Sequence, residues 1–550
     1  MMLRLLLIIL MCCKWVDAIS QGVLVSPTDL SMQWLRRQEI AQAKVFNAVH
    51  LSQQPVSRKQ LAEAATAAVV EDSVQEANRI YVLTDNYEWT DTALAVSRKP
   101  FLRYFYHFRP AFYAHYSDDF FVQVSPLFCF NVGGETADNG LLFRNVRGIR
   151  LRGWVARKVG FDLNVSENQL FAPQYVRHWI AQYDAVPFHG YYKEFKDEGV
   201  DFLDASGHIS FTAARFIGIQ FGHGKQFYGN GLRSLALSDF SNDYLFLRLQ
   251  TQVWRISYQN LFMDLTANFQ RGADRLLEPK YAAMHHLSCN ITSFANIGLW
   301  ESVVFHRNNG FELHYLNPLI FYRAIEQGLG SPDNTMLGLD FRINLLKAVQ
   351  WYGQLVLDDF NFQYSRGNRG YWGNKYGLQQ GLRWINVGGV RNLDVQVEWN
   401  WIRPYTYSHA DSLASHTHYN APLAHPLGAN LKEWIVRTQY QPLFPLRISA
   451  SWLLVQQGRD SSATNWGSNI FYPTTLFNIM QEFGNRVGQG VPYRMHLLEL
   501  SVSWLLKHNF FLDASVTYRK QTAGTPAESS PSLIYQLGVR LNYDSDVWWF

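Results

Sequence analysis

From about residue 101 onward, apolar and polar side chains alternate with a period of two. The stretch Arg391 to Trp401 is the clearest case. Leu393, Val395, Val397, Trp399 and Trp401 share one face, and Asn392, Asp394, Gln396, Glu398 and Asn400 share the other. Phe510 to Tyr518 and Leu533 to Tyr543 repeat the pattern, and Leu446 to Leu454 and Leu498 to Leu506 follow it. Successive side chains of a strand point to opposite faces, so each segment presents one apolar and one polar surface. The segments run about ten residues, the length of a tilted membrane-crossing strand, whereas strands of soluble domains average about 5–6. The pattern predicts an all-β fold, a transmembrane antiparallel β-barrel over 96–550. Strands of that length with their turns and loops give on the order of 18 strands. Asn139-Gly140, Asn230-Gly231 and Asn309-Gly310 are expected hairpin turns.

Residues 19–95 have a different period. Ser57 and Gln60 form a capping-box signature, and Leu61, Ala64, Ala65 and Ala68 behind it fall on one helical face. A second start at Asp72 or Ser73 predicts a shorter helix with Val74, Ala77 and Tyr81 turned inward. Two short helices bury too little surface to fold alone, so the segment reads as a plug or periplasmic docking module of the barrel. A helical hairpin with no role beyond folding is the plainer alternative. Ahead of it, Arg4, the apolar run Leu5 to Cys13 and the Val16-x-Ala18 site describe a secretory signal peptide over 1–18. Cys12 and Cys13 invite a lipoprotein reading, but Met11 is large where a lipid-attachment box needs a small residue.

Composition narrows the function. Aromatic residues make up 15% of the chain, fitting the interfacial girdles of a barrel. A net charge of +4 gives no reason to expect a nucleic-acid partner. Beyond the signal, only Cys129 and Cys289 remain, which is no disulfide framework; one optional bridge between them stays open.

Candidate chemistry sits in two stretches. Phe221 to Gly231 reads F-G-H-G-K-Q-F-Y-G-N-G, which lacks the Gly-Lys-Ser/Thr of a phosphate loop, so its glycines are expected to admit close backbone neighbours. Arg403 to Asn430 holds His409, His416, His418 and His425, yet Pro422 and Pro426 argue against a fixed metal-ligand frame, and no metal or other cofactor is expected. Its rings and donors suit sugars, by stacking and by hydrogen bonds to hydroxyls and carboxylates. Arg403, Tyr405, Tyr407, His409, His418, Tyr419 and Asn430 are the candidate polysaccharide contacts; a loop packed into the barrel mouth is the competing reading. Arg150 and Arg152 share the predicted lumen face, where they could draw in acidic polymer or pair with carboxylates such as Asp394 and Glu398. No catalytic signature is present, and the chain is read as no enzyme. The terminal Phe550 is the expected signal to the barrel-assembly machinery, and membrane lipid the expected surrounding.

Three stretches resemble the capsule assembly Wzi family, in particular its RemB-like branch. They are F-G-H-G-K-Q-F-Y-G-N-G-L-R-S-L-A-L-S-D from Phe221 to Asp239, Y-L-N-P-L from Tyr315 to Leu319, and R-P-Y-T-Y-S-H…H-Y-N-A-P-L-A-H-P-L-G-A-N from Arg403 to Asn430. P-V-S-R-K from Pro55 to Lys59 is similar as well. The resemblance implies an outer-membrane barrel of about 18 strands with an N-terminal helical plug. It also implies a lectin-like hold on capsular or other surface polysaccharide, or a part in adhesion and gliding motility. A porin-like channel with a movable plug is the alternative from another class.

Overall fold

The computed structural model describes residues 23–26, 29–70, 72–138, 140–267, 276–365, 369–461, 464–522, 531–544 and 546–550. The signal-peptide expectation over 1–18 and Asn139 of the first expected hairpin lie outside the described residues. Among these, 18 antiparallel strands form a closed barrel, the architecture of an integral outer-membrane protein. The first, Phe120–Glu135, pairs with the last, Ser532–Leu541, and so leaves no free edge. Two short strands, Tyr113–Tyr116 and Lys193–Phe195, extend the wall.

The alternation read from the sequence is the inside-outside alternation of the wall. Leu203, Ile209, Leu299, Leu498, Leu500, Tyr535 and Leu537 are exposed on the outer face, as lipid requires. Trp254, Trp351, Trp384 and Trp504 stand exposed near the short turns 254–255, 346–348 and 444–445, where an interfacial girdle belongs. Turns of two to eight residues gather at one end, and the longer connections, including 225–243, 306–333 and 403–430, at the other, which also carries the five-residue connection 136–140. In such barrels the short-turn end is periplasmic and the long-loop end extracellular.

Three N-terminal helices lie against the inner wall: α1 (Leu30–Gln42), α2 (Arg58–Ala67) and α3 (Ser73–Asp85). The capping box of Ser57 and Gln60 is present, and Leu61, Ala64, Ala65 and Ala68 are buried as expected. Asp72 caps α3. The buried face of α3 differs from the expectation: Gln75, Asn78 and Tyr81 are buried, whereas Val74 and Ala77 are only partly so. A soluble core would call for the apolar residues, but the surface that α3 meets is the polar lumen, where Gln75 bonds Asn392 and Asn78 bonds Gln441. Helix α1 escaped the sequence reading for the same reason, because Glu39 and Gln38 are among its buried residues.

Charge pairs attach the helices to the wall. Glu39 of α1 accepts from Arg342 at 3.0 Å, and Arg37 reaches Asp394 at 2.9 Å. Asp85 binds Arg58 of α2 at 2.6 Å, and it accepts from His508 and Asn509 in a periplasmic turn. Arg152 donates to the Asp85 carbonyl and to Glu88. Arg150 pairs with Asp162 instead. Both arginines are turned to the inner side of the wall, with partners other than Asp394 and Glu398. Cys129 and Cys289 are free thiols.

Two turn expectations are corrected. Asn230-Gly231 is no hairpin; Asn230 is buried inside the barrel and bonds Asp340 and Arg342. Asn309-Gly310 lies within the long 306–333 connection. A separate finding concerns the C-terminus. The last strand ends at Leu541, and the chain then turns into the lumen. Asp546 binds Arg144 at 2.6 Å, the Trp549 indole donates to Glu499, and Phe550 packs against Tyr175, Trp179 and Phe240. Phe550 thus closes an interior cluster and does not end a strand, because Asp544 to Asp546 break the alternation and supply charges for the lumen.

Two outcomes test this arrangement. Burial works to raise the Asp85 carboxyl pKa, but Arg58, His508 and Arg152 overcome it and hold it well below the usual range. Its stabilising contribution is complete above about pH 3.9 and is lost as pH falls through the depressed value. The hydrogen-exchange protection of residues 58–70 and 72–90, corrected for the intrinsic pH dependence of amide exchange, should therefore be unchanged between pH 7 and pH 5. Asp85→Asn should expose the same residues to exchange and proteolysis, at a cost of about 3–5 kcal/mol for leaving buried guanidiniums unpaired. Phe550→Ala should still yield heat-modifiable barrel in the membrane fraction, with the helix Gln174–Tyr183 that Phe550 packs against newly open to protease; loss of folded barrel would assign Phe550 to assembly.

Candidate polysaccharide surface

The extracellular end is closed by two inward-folded connections. The strand Ile217–Gly224 leads into 225–243, which drops into the lumen, and Phe227–Tyr228 there pairs with Gln53–Gln54 of the N-terminal segment. Gly222 lets this strand lie close against its neighbour, since a Cβ there would meet the Gly207 carbonyl at 2.4 Å. A Cβ on Gly231 would stand 2.6 Å from both Gln379 and Glu398, whose carboxylate accepts the Leu232 and Arg233 amides. Gly222 and Gly231 thus serve close packing, as the sequence suggested.

The 403–430 connection lies on top of that segment. Tyr228, Leu235, Leu237, Tyr407, Leu423 and Ala424 share one apolar cluster with the inner wall. The Tyr407 hydroxyl donates to the Leu235 carbonyl at 3.0 Å, and Ser238 donates to the Ala424 carbonyl at 2.6 Å. The four histidines are dispersed among separate tasks. His416 bonds the Ala236 carbonyl at 2.8 Å, His418 takes the Thr266 amide and bonds the Asp243 carbonyl, and His425 binds Glu433 at 2.8 Å. His409 accepts the Asp411 amide. Burial pushes His416 and His418 down to about 4, so both are neutral at ordinary pH and act as hydrogen-bonding pins. Among the described residues, no group of three His, Cys, Asp or Glu side chains is arranged around a metal ion.

Five of the seven sequence-selected contacts are buried: Arg403, Tyr405, Tyr407, His418 and Asn430. Asn430 is a hub, donating to the Gly458 and Gln489 carbonyls and accepting the Gly488 amide. His409 and Tyr419 are partly exposed. The loop therefore packs into the mouth, the competing reading of the sequence, with its rings turned inward.

Above it stands an aromatic surface that the sequence reading passed over. Tyr364, Tyr371 and Phe483 form a triangle with ring centroids 4.6, 5.5 and 5.7 Å apart. Backbone bonds between Trp372 and Glu482, Gly484 and Arg369, and Asn485 and Gly370 join the two loops that carry them. Arg403 supports this layer by donating to the Tyr371 carbonyl at 3.1 Å, and Tyr405 meets Trp372 edge-on at 6.0 Å. Arg369 and Arg486 are exposed beside the rings. The signal was present as F-N-F-Q-Y-S-R-G-N-R-G-Y-W from Phe360 to Trp372, dense in rings, arginine and glycine.

No family profile matches the sequence, and no curated protein matches it. Solved structures do. The chain is similar to Wzi, described as an outer-membrane protein involved in group 1 capsule assembly in Escherichia coli and a carbohydrate-binding β-barrel. That likeness has a TM-score of 0.56 at 12% identity and covers 96% of this chain and 100% of that one. OprD of Pseudomonas aeruginosa aligns with a TM-score of 0.42 at 9% identity, over 76% of this chain and 94% of that one. OccAB2 of Acinetobacter baumannii aligns with a TM-score of 0.42 at 9% identity, over 77% and 98%. The first of these extends over the strands, the inserted loops and the N-terminal helices together, and the chain has the fold of the Wzi outer-membrane barrel.

Proposed function

We propose that this protein is a non-enzymatic outer-membrane barrel that holds an extended surface polysaccharide, capsular or other, on its extracellular face. The observation that carries the reading is the joined aromatic layer of Tyr364, Tyr371 and Phe483, flanked by Arg369 and Arg486, above a closed mouth. Ring faces stack on the apolar faces of sugars, and guanidinium forks bind carboxylates in a bidentate manner. Likeness in fold to a carbohydrate-binding barrel agrees with this. Arg403, Tyr405, Tyr407, His418 and Asn430 then act beneath the surface as its scaffold, and the N-terminal helices as a plug. Residues 1–18 serve as the export signal removed on secretion.

A channel is the second reading, favoured by the cavity of about 840 Å³, lined by both charged and apolar side chains, that remains inside the barrel. Conductance of the purified barrel in planar bilayers separates the two. The binding reading expects a silent barrel, and steady conductance of the intact chain would favour transport. Membership of an adhesion or gliding assembly would instead be read from stable co-purification with other surface proteins.

The binding reading makes a specific demand. Tyr371→Ala with Phe483→Ala should release glycan from the cell surface and weaken glycan binding at least tenfold, since each stacked ring is worth on the order of 1 kcal/mol. Barrel abundance should stay unchanged. Retention equal to that of the unaltered protein would remove the assignment.

A further inference from the structure

The lumen cavity is not evenly polar. Along the wall, Gln350, Arg383, Gln396, Arg437, Ser451 and Glu499 are register partners on successive strands and form one row. Neighbouring strands lie about 4.8 Å apart, which sets the backbones of Arg383 and Arg437 roughly 10 Å apart on one level. That span lets two long guanidinium side chains close on a single small group. Arg36 of α1 lines the same cavity as Arg383 and Arg437.

The carboxylates that could neutralise these cations are engaged elsewhere. Glu39 is held by Arg342, Asp394 by Arg37, and Glu398 by two backbone amides and Tyr352. Glu499 stands two strands from Arg437 and accepts from the Trp549 indole at 3.2 Å. Arg36 bonds only a neutral group, the Gln54 side-chain oxygen, at 2.7 Å. Arg383 donates to Gln350 and to the Asn230 carbonyl, again both neutral. The Nε of Arg437 is buried without an acceptor, and the Oγ of its register partner Ser451 is likewise unpartnered. Three guanidiniums thus line one cavity, the Arg437 Nε unspent and, among the described residues, no carboxylate bonded to any of them. Burial pushes Arg36 down to about 9, and the charges of Arg383, Arg342 and Arg437 add to the effect.

We infer that Arg36, Arg383 and Arg437 form an oxyanion-binding site inside the barrel, suited to the carboxylate of an acidic sugar or to a phosphate. Planar forks match the oxygen geometry of both groups, and an anion there would satisfy donors that the protein leaves open. The site lies on the wall of the lumen and stands or falls separately from the extracellular aromatic surface.

The test uses the full chain in neutral detergent at constant ionic strength, titrated calorimetrically with inorganic phosphate, glucuronate and glucose. Binding of phosphate, of glucuronate or of both is expected, with glucose inert. Phosphate alone would point to a phosphorylated ligand, and glucuronate alone to an acidic glycan. Arg437→Gln should weaken binding about tenfold or more, the loss of a charge-assisted pair of bonds. Arg437→Lys, which keeps the charge and loses the fork, should fall between the two and serves if the glutamine variant fails to fold. The inference is overturned if the unaltered protein binds neither anion, or if it and the folded variants bind them equally.

Discussion

The pairing of Arg342 on the wall with Glu39 on the first helix stands for the constraint under which the whole interior is built. A closed barrel turns half of its side chains toward a space shut off from lipid, and in this chain those side chains are arginine, aspartate, glutamine and serine. Burying such groups is costly unless each finds a partner. Strand pairing cannot supply the partners, because it consumes only backbone. The inserted material supplies them: helices from one end, two folded connections from the other, and the C-terminal tail between. The polar wall therefore requires its contents, and the contents have no stable fold away from the wall.

This constraint explains what the sequence disclosed and what it withheld. The wall was legible, because alternation over ten residues has one interpretation and lipid enforces it at every strand. The capping box at Ser57 was legible because it is local. The orientation of inserted segments was not. Tyr405 and Tyr407 have the composition of a sugar-binding loop, yet both point inward, since a ring that buries its face while its hydroxyl finds a carbonyl fits a closed mouth as well as a ligand. The side of α3 that meets the wall misled for the opposite reason, being polar at Gln75 and Asn78 where a helix in water would bury apolar residues. In each case the missing information was the surface that the segment meets, which lies hundreds of residues away in the chain.

The extracellular surface and the buried loop beneath it are best understood together. Arg403 and Tyr405 hold the backbone and rings of the layer above them, so the residues that looked like contacts act one level below the contacts. A stacking surface gains from such support, because rings fixed in advance lose little freedom when a polymer settles on them.

The pairing of Gln53–Gln54 with Phe227–Tyr228 also joins the two ends of the barrel. The first piece belongs to the segment that carries the N-terminal helices, and the second to a connection that descends from the long-loop end. A wall sealed by its first and last strands admits neither piece sideways, so each reaches the meeting point along the length of the cylinder. The two ends are thereby tied through the interior, as a rod run through a cask holds its heads together.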